Sequence, residues 1–194
     1  MFESIISRQL AQVRRRSFIG RSGLLLSGTA VALLAGRSGL ARGQGAAGSK
    51  AAEGDAGVLN AALGSEFEAI AAYQVGAESG LLEKPVLALA LTFQGHHKAH
   101  ADLLARTVEQ FGGKPVAAKP KYTFPTDSLK QQADVLRFAA GLEQGAVSAY
   151  LSAVPVFDNR ELARAAASIL GDEAMHWAVL RHALGEDPVP AAFV

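Results

Sequence analysis

Two short motifs place acidic and imidazole side chains at helical spacing. His97 and His100 are three residues apart, and so are Glu173 and His176. Residues three apart lie about 60° from each other on one helix face, so each pair can grip one cation. A lone acidic side chain inside an alanine- and leucine-rich stretch would be costly to bury without a positive partner. The spacing therefore predicts a cation site between helices.

The two halves of the chain repeat each other around these motifs. Residues 66–73 and 143–150 both read Glu, then an aliphatic residue at +4, Ala at +6 and Tyr at +7, with an offset of 143 − 66 = 77. His97 and Glu173 open the second motif of each half, with an offset of 173 − 97 = 76. The repeat therefore pairs Glu66 with Glu143, and the two histidine-bearing motifs with each other.

Neighbouring polar residues leave one choice of ligand open. His96 and His100, four apart, would also share a helix face, although the repeat favours His97 over His96. Tyr73 and Tyr150 lie two turns from their glutamates, and we expect their hydroxyls to hydrogen-bond a ligand. Four nearby residues are expected to have other roles. Gln94 is expected to support a ligand from behind. Glu68 and His182 are expected to face solvent, and Trp177 to pack against apolar side chains.

Apolar residues recur at helical spacing from Asp55 onward, with breakers between the runs. The fold class predicted is all-α, a four-helix bundle. The predicted helices run from Ala56 to Ser79, from Lys84 to Gly112, from after Ser128 to Val154, and from Asp158 to Gly185.

The connection between the second and third helices differs from the other two. Residues 113–126 contain three prolines and no helical pattern. Extended, about 14 residues reach roughly 45 Å, whereas a helix of about 25 residues is roughly 38 Å long. The connection can therefore run the length of the bundle, and two antiparallel hairpins joined by one long crossover form the ferritin-like connectivity.

These motifs, in this order, resemble the ferritin-like superfamily. The chain is most similar to bacterial ferritin-like domain proteins that carry twin-arginine signals, over about residues 56–184. In such bundles one Glu from each of two helices joins a Glu-x-x-His motif from each of the other two to bind two metal ions. The resemblance implies a metal site built from these ligands: Glu66, His97, His100, Glu143, Glu173 and His176.

One position departs from that pattern, because His97 stands where the family has Glu. The set then holds three carboxylates and three imidazoles, and Glu173 alone remains in a bridging position. Two divalent ions would leave a ligand charge balance of +1, so a single ion or a differently arranged pair stays open beside a dinuclear site. Imidazole-rich sites also favour iron, zinc or copper over manganese.

The start of the chain resembles a twin-arginine export signal. Arg15-Arg16-Ser17-Phe18-Ile19 precedes an apolar run over 24–35, which is shorter than the roughly 20 residues that span a bilayer. Gly39-Leu40-Ala41 offers a cleavage site, and an uncleaved membrane anchor is the alternative. The predicted organisation is a signal over 1–41, a flexible tether over 42–54, the bundle over 55–185 and a tail over 186–194.

Charge and composition limit the classes of function. Seven of the 19 basic residues but one of the 18 acidic residues lie in the first 42 positions, so the remainder carries 12 − 17 = −5. An acidic globule gives no electrostatic reason to bind nucleic acid. The chain has no cysteine, which excludes disulfides and thiolate ligands.

We expect a metal-binding protein that is periplasmic or otherwise exported, with iron the first choice of metal. Its candidate activities are redox reactions on oxygen species or ferrous iron. The alternative is a non-enzymatic stress-protection or interaction module with a structural or lost metal site. The expected partners are metal ions and the twin-arginine export machinery, without nucleic acid or stable membrane insertion after cleavage, and a homodimer is compatible with the sequence.

Overall fold

The computed structural model describes residues 47–193, and the predicted signal (1–41) and residues 42–46 of the predicted tether lie outside them. Four long helices form two hairpins in the described part of the chain, confirming the predicted all-α ferritin-like four-helix bundle. The helices are α1 (Ala47–Glu78), α2 (Lys84–Gln110), α3 (Gln132–Ala153) and α4 (Arg160–Ala183). Single 3₁₀ turns, Thr126–Ser128 and Val154–Val156, precede α3 and α4. No described helix is long and apolar enough to cross a membrane.

Two predicted helix starts were wrong. The first helix begins at Ala47, nine residues before Ala56, so the helix covers residues 47–54 of the predicted tether. The fourth helix begins at Arg160, two residues after Asp158, and it is capped by Asn159, whose side chain accepts from the backbone N–H of Glu161. The backbone N–H groups of residues 158 and 159 donate instead to the carboxylate of the buried Asp55.

The hairpins pack α1 against α2 and α3 against α4, and α1 also contacts α3. Glycines in the left-handed region end α1 and α4, with φ 71° at Gly80 and 74° at Gly185, which is the backbone conformation that stops a helix. The side chains of Leu63 and Val147 are fully buried between the helices. The apolar layers thus hold the polar side chains of the four helices at one level of the bundle.

The crossover between α2 and α3 lies along the bundle. Asn60 on α1 donates to the carbonyl of Lys114 and accepts from the N–H of Val116, which ties down the start of the crossover. Near its end, the ring of Phe124 packs edge-on against Phe138 of α3, with ring centroids 5.7 Å apart. The predicted long connection is therefore anchored at both ends.

Candidate metal centre

Three glutamates from three helices are buried in the middle of the bundle. Glu66 lies on α1, Glu143 on α3 and Glu173 on α4, with 3%, 1% and 0% of each residue exposed. Burying one carboxylate without a positive or hydrogen-bonding partner would cost several kcal/mol, and here three lie together. Their neighbours must therefore supply protons or positive charge.

The imidazole of His97 lies between two of these carboxylates. Its Nδ1 is 2.8 Å from Glu66 Oε2, and its Nε2 is 3.4 Å from Glu143 Oε1. The residue is 1% exposed. His97 therefore faces the cluster interior with both nitrogens, in the position predicted from the repeat.

The carboxylate of Glu173 lies between the two other histidines. His100 Nδ1 is 3.2 Å from Glu173 Oε1, and His176 Nδ1 is 3.2 Å from Glu173 Oε2. His176 is buried, and the side chain of His100 is 14% exposed. Each oxygen of Glu173 thus faces a different imidazole.

The structure brings all six predicted ligands together, and we call them the buried cluster. They form two overlapping sets of four residues, each offering ligand atoms within 4.8 Å of one another. His97 and Glu173 belong to both sets, which are completed by Glu66 and His100 in the first set, and by Glu143 and His176 in the second. The arrangement follows the sequence repeat, with one terminal glutamate and one terminal histidine in each set.

Two buried atoms of the first set are left without a hydrogen bond. Among the described residues, His100 Nδ1 and Glu173 Oε1 are buried side-chain atoms that lack a hydrogen-bond partner. They face each other at 3.2 Å without hydrogen-bond geometry. Buried polar atoms are nearly always satisfied. A cation between them would satisfy both, so the donor set fits a divalent transition metal.

Each tyrosine hydroxyl hydrogen-bonds a glutamate of the buried cluster, as predicted, and that glutamate lies on the other hairpin. The hydroxyl of Tyr73 on α1 donates to Glu143 on α3, and the hydroxyl of Tyr150 on α3 donates to Glu66 Oε1 on α1 at 2.5 Å. Each tyrosine therefore fixes the terminal glutamate of the other hairpin. Such partners orient a ligand carboxylate.

Comparison with known proteins identifies the family. Residues 54–186 match the profile of the ferritin-like domain, which is more than half of the chain. The chain belongs to the ferritin-like domain family. No curated protein sequence matches.

Three solved structures share the fold of this ferritin-like domain at 24% identity or less. A conserved hypothetical protein from Mycobacterium tuberculosis has a TM-score of 0.64 and 23% identity, over 74% of this chain and 99% of its own. A dodecameric thioferritin, the bacterioferritin-related protein from Bacteroides fragilis, has a TM-score of 0.60 and 24% identity, over 69% and 86%. A ferritin-like, diiron-carboxylate protein from Bacillus anthracis has a TM-score of 0.60 and 19% identity, over 69% and 97%.

Protons supply positive charge to the cluster of this ferritin-like domain. Burial lowers the pKa of His97, but hydrogen bonds with Glu143 and Glu66 outweigh it and raise that pKa to about 9. Burial raises the pKa of Glu143, but hydrogen bonds from His176 and His97 bring it well below its ordinary value. His97 is therefore an imidazolium at neutral pH when no ion is bound.

Asp172 is a contributor that the sequence reading missed. Burial lowers the pKa of both His100 and His176, but the nearby carboxylate of Asp172, followed by those of the cluster glutamates, raises each pKa to about 11. Asp172 Oδ2 lies 3.4 Å from His100 Nε2 and 3.3 Å from His176 Nε2. The i,i+4 spacing of Asp172 and His176 was the signal that could have identified it.

Of the other predictions around the site, three are confirmed and one is wrong. Glu68 and His182 are exposed, and Trp177 packs beside the apolar core, as predicted. Gln94 is buried, but its amide nitrogen donates to the carbonyl of Ile70 and to the side chain of Gln74. The hypothesis that Gln94 supports a ligand was wrong, because its amide nitrogen donates to α1 and its amide oxygen accepts from Lys98.

Proposed function

We propose that this chain is an exported ferritin-like protein that binds metal at the buried cluster and carries out redox chemistry there. Iron is the leading metal, and manganese, zinc and copper are alternatives. The observation that carries the proposal is the position of Glu173, whose two oxygens face different imidazoles in the interior of the bundle. The two neighbours described as a thioferritin and as a diiron-carboxylate protein support iron.

The residues of the buried cluster and their partners would have different roles at such a site. Glu66 and Glu143 would be terminal carboxylate ligands, oriented by the tyrosine hydroxyls across the bundle. His100 and His176 present Nδ1 to the interior while Nε2 faces Asp172, which fixes each ring. Bound iron would supply electron transfer to dioxygen or peroxide. Burial of the ligands keeps bulk water away from that chemistry.

His97 limits how many ions can bind. A neutral imidazole has one nitrogen lone pair to donate, so His97 can serve one of its two sets through Nδ1 or the other through Nε2. Glu173 can serve both sets, because it has two oxygens. One fully ligated ion, or a pair bridged by Glu173, fits this donor set better than two equivalent ions.

Ferrous oxidation tests the redox proposal. The metal-free protein would be loaded with Fe²⁺ under anaerobic conditions and mixed with oxygenated buffer, and ferric product would be followed by absorbance. We expect oxidation faster than in protein-free buffer, and a return to the buffer rate in the Glu66→Gln/Glu143→Gln variant. Glu68→Gln, an exposed position on the same helix as Glu66, is the matched control. A wild-type rate equal to that of buffer would refute the redox role.

The export proposal rests on the pair Arg15 and Arg16 and the short apolar run that follows. Exchanging both arginines for lysine keeps the charge but removes the paired guanidinium groups. We expect the variant to accumulate in the cytoplasm with its leader uncleaved, while the wild type appears shortened in the exported fraction. Equal export of both chains would contradict a twin-arginine route.

A non-enzymatic module remains the second candidate, and one observation favours it. The protonated His97 already pairs with Glu66 and Glu143, so the cluster can persist without metal. In that case the protein would be isolated free of metal, and added iron would leave its melting temperature unchanged. Binding of an ion to the folded state alone would instead raise the melting temperature. Light scattering would test separately whether the protein forms a homodimer.

A further inference from the structure

A second group of possible ligands lies at the edge of the buried cluster. His96 Nδ1, Asp172 Oδ2 and His176 Nε2 lie within 4.8 Å of one another, and we call these three residues the outer group. The side chain of His96 is 45% exposed and that of Asp172 is 24% exposed, whereas His176 is buried. The outer group therefore connects solvent with the cluster.

The distances in the outer group match a coordination shell. His96 Nδ1 is 2.8 Å from His176 Nε2 and 3.2 Å from Asp172 Oδ2, and His176 Nε2 is 3.3 Å from Asp172 Oδ2. Ligands about 2.0 to 2.2 Å from one ion lie roughly 2.8 to 3.6 Å apart in octahedral or tetrahedral geometry. The contacts of Asp172 are also longer than the roughly 2.7 to 2.9 Å of charge-assisted hydrogen bonds.

The helices present these ligands on facing surfaces. Asp172 and His176 are four apart on α4, and His96 and His100 are four apart on α2. Residues at this spacing share a helix face. His100 Nε2, 3.4 Å from Asp172 Oδ2, supplies a further imidazole beside the group. Imidazole nitrogen with one carboxylate suits Zn²⁺, Co²⁺ and Fe²⁺ better than Mg²⁺ or Ca²⁺.

His176 belongs to both the buried cluster and the outer group. Its Nδ1 faces Glu143 and Glu173 in the buried cluster, and its Nε2 faces the outer group. A neutral ring has one lone pair to donate, so one ion at a time can take His176. An ion held outside must therefore give up this ligand when His176 ligates an ion inside, which makes the outer group suited to transfer.

We propose that His96, Asp172 and His176 form a second binding site for a divalent transition-metal ion, through which ions enter the buried cluster. The entry role rests on the proposed metal binding of that cluster, whereas the outer site stands on its own geometry. The competing explanation is that Asp172 orients His100 and His176, and that His96 Nδ1 and His176 Nε2 share a hydrogen bond. In that case His96 is not a metal ligand.

A cysteine at position 96 would report directly on an ion there. The chain has no cysteine of its own, so a thiolate-to-cobalt charge-transfer band in the His96→Cys variant can arise only at position 96. With Co²⁺ as the probe, we expect this band to saturate near one equivalent when Glu173→Gln is added, because that change removes a ligand from both sets of the buried cluster and leaves His176 free for the outer ion. The His182→Cys variant, at an exposed position on α4, should not show it. Absence of the band from the folded His96→Cys/Glu173→Gln protein would overturn the outer site.

Loading kinetics test the entry role. We expect His96→Ala to take up Co²⁺ at least about tenfold more slowly than the wild type with the same final cobalt content, while His182→Ala loads at the wild-type rate. Equal rates in all three proteins would overturn entry through the outer site. If the wild type itself takes up no cobalt, the proposed function fails, whereas normal uptake without a His96 effect removes the outer site alone.

Discussion

Replacing Glu173 by Gln tests whether one carboxylate serves both halves of the buried cluster. Gln keeps the shape of the side chain but removes its charge, and Glu173 belongs to both four-residue sets. Each set would lose one of four ligands. Supporting residues alone change metal affinity by 10- to 100-fold, so loss of this ligand should cost at least about 100-fold, or about 2.8 kcal/mol at 1.4 kcal/mol per tenfold.

The assay is equilibrium dialysis against Co²⁺ followed by elemental analysis, with circular dichroism to verify folding. Glu66→Gln and Glu143→Gln each remove a ligand from one set, so each should retain at most one tightly bound ion. Glu173→Gln should retain none in the buried cluster, and the exposed Glu68→Gln should match the wild type. Loss of only half the metal in a folded His96→Ala/Glu173→Gln protein, in which the outer group also lacks a ligand, would refute the place of Glu173 in both sets.

Three further predictions concern pH, ligand orientation and helix pairing. The free energy of unfolding of the metal-free protein should fall as pH rises from about 6.5 to 9. Over this range the folded chain keeps the His97 proton, with its pKa near 9, while the unfolded chain releases it, and this one histidine contributes about 1.4 kcal/mol per pH unit. His100 and His176, with their pKa values near 11, add to the slope in the same direction. Denaturant titrations at several pH values measure this, and a flat profile would show that the ring is neutral. Tyr150→Phe should weaken metal affinity by about 10- to 100-fold without changing the stoichiometry at saturation, because Glu66 loses a hydrogen-bond donor; an unchanged dissociation constant would contradict that role. Asp55→Ala should destabilise the fold by about 2 to 3 kcal/mol in urea, because two backbone N–H groups before α4 lose their acceptor, whereas Glu53→Ala, at an exposed position, should have no effect.

The bundle was predictable because its signals are local. Apolar spacing gives the helices, Gly80 and Gly185 end two of them, and three prolines mark the crossover. The start of α1 was not predictable in the same way. Residues 47–54 have few large apolar side chains, so their helix does not show an amphipathic pattern, and it continues a segment fixed further along the chain.

The internal repeat predicted the buried cluster and the role of the tyrosines. Residues at equivalent positions in the two halves of the chain lie at the same level of the bundle, so the repeat indicates which side chains meet. The outer group was missed for a physical reason. His96 and Asp172 each stand one residue before a motif position, and nothing in the sequence shows that α2 and α4 present them to each other. Only the packing of the hairpins brings His96 Nδ1 and Asp172 Oδ2 to 3.2 Å.

The metal content of the protein isolated after its own export tests the central claim most directly. Elemental analysis of that material, normalised to protein by amino-acid analysis, should find a transition metal, foremost iron, at close to one or two ions per chain. A correctly folded, processed protein that is free of metal, and that stays free after incubation with Fe²⁺, would contradict metal binding at the buried cluster.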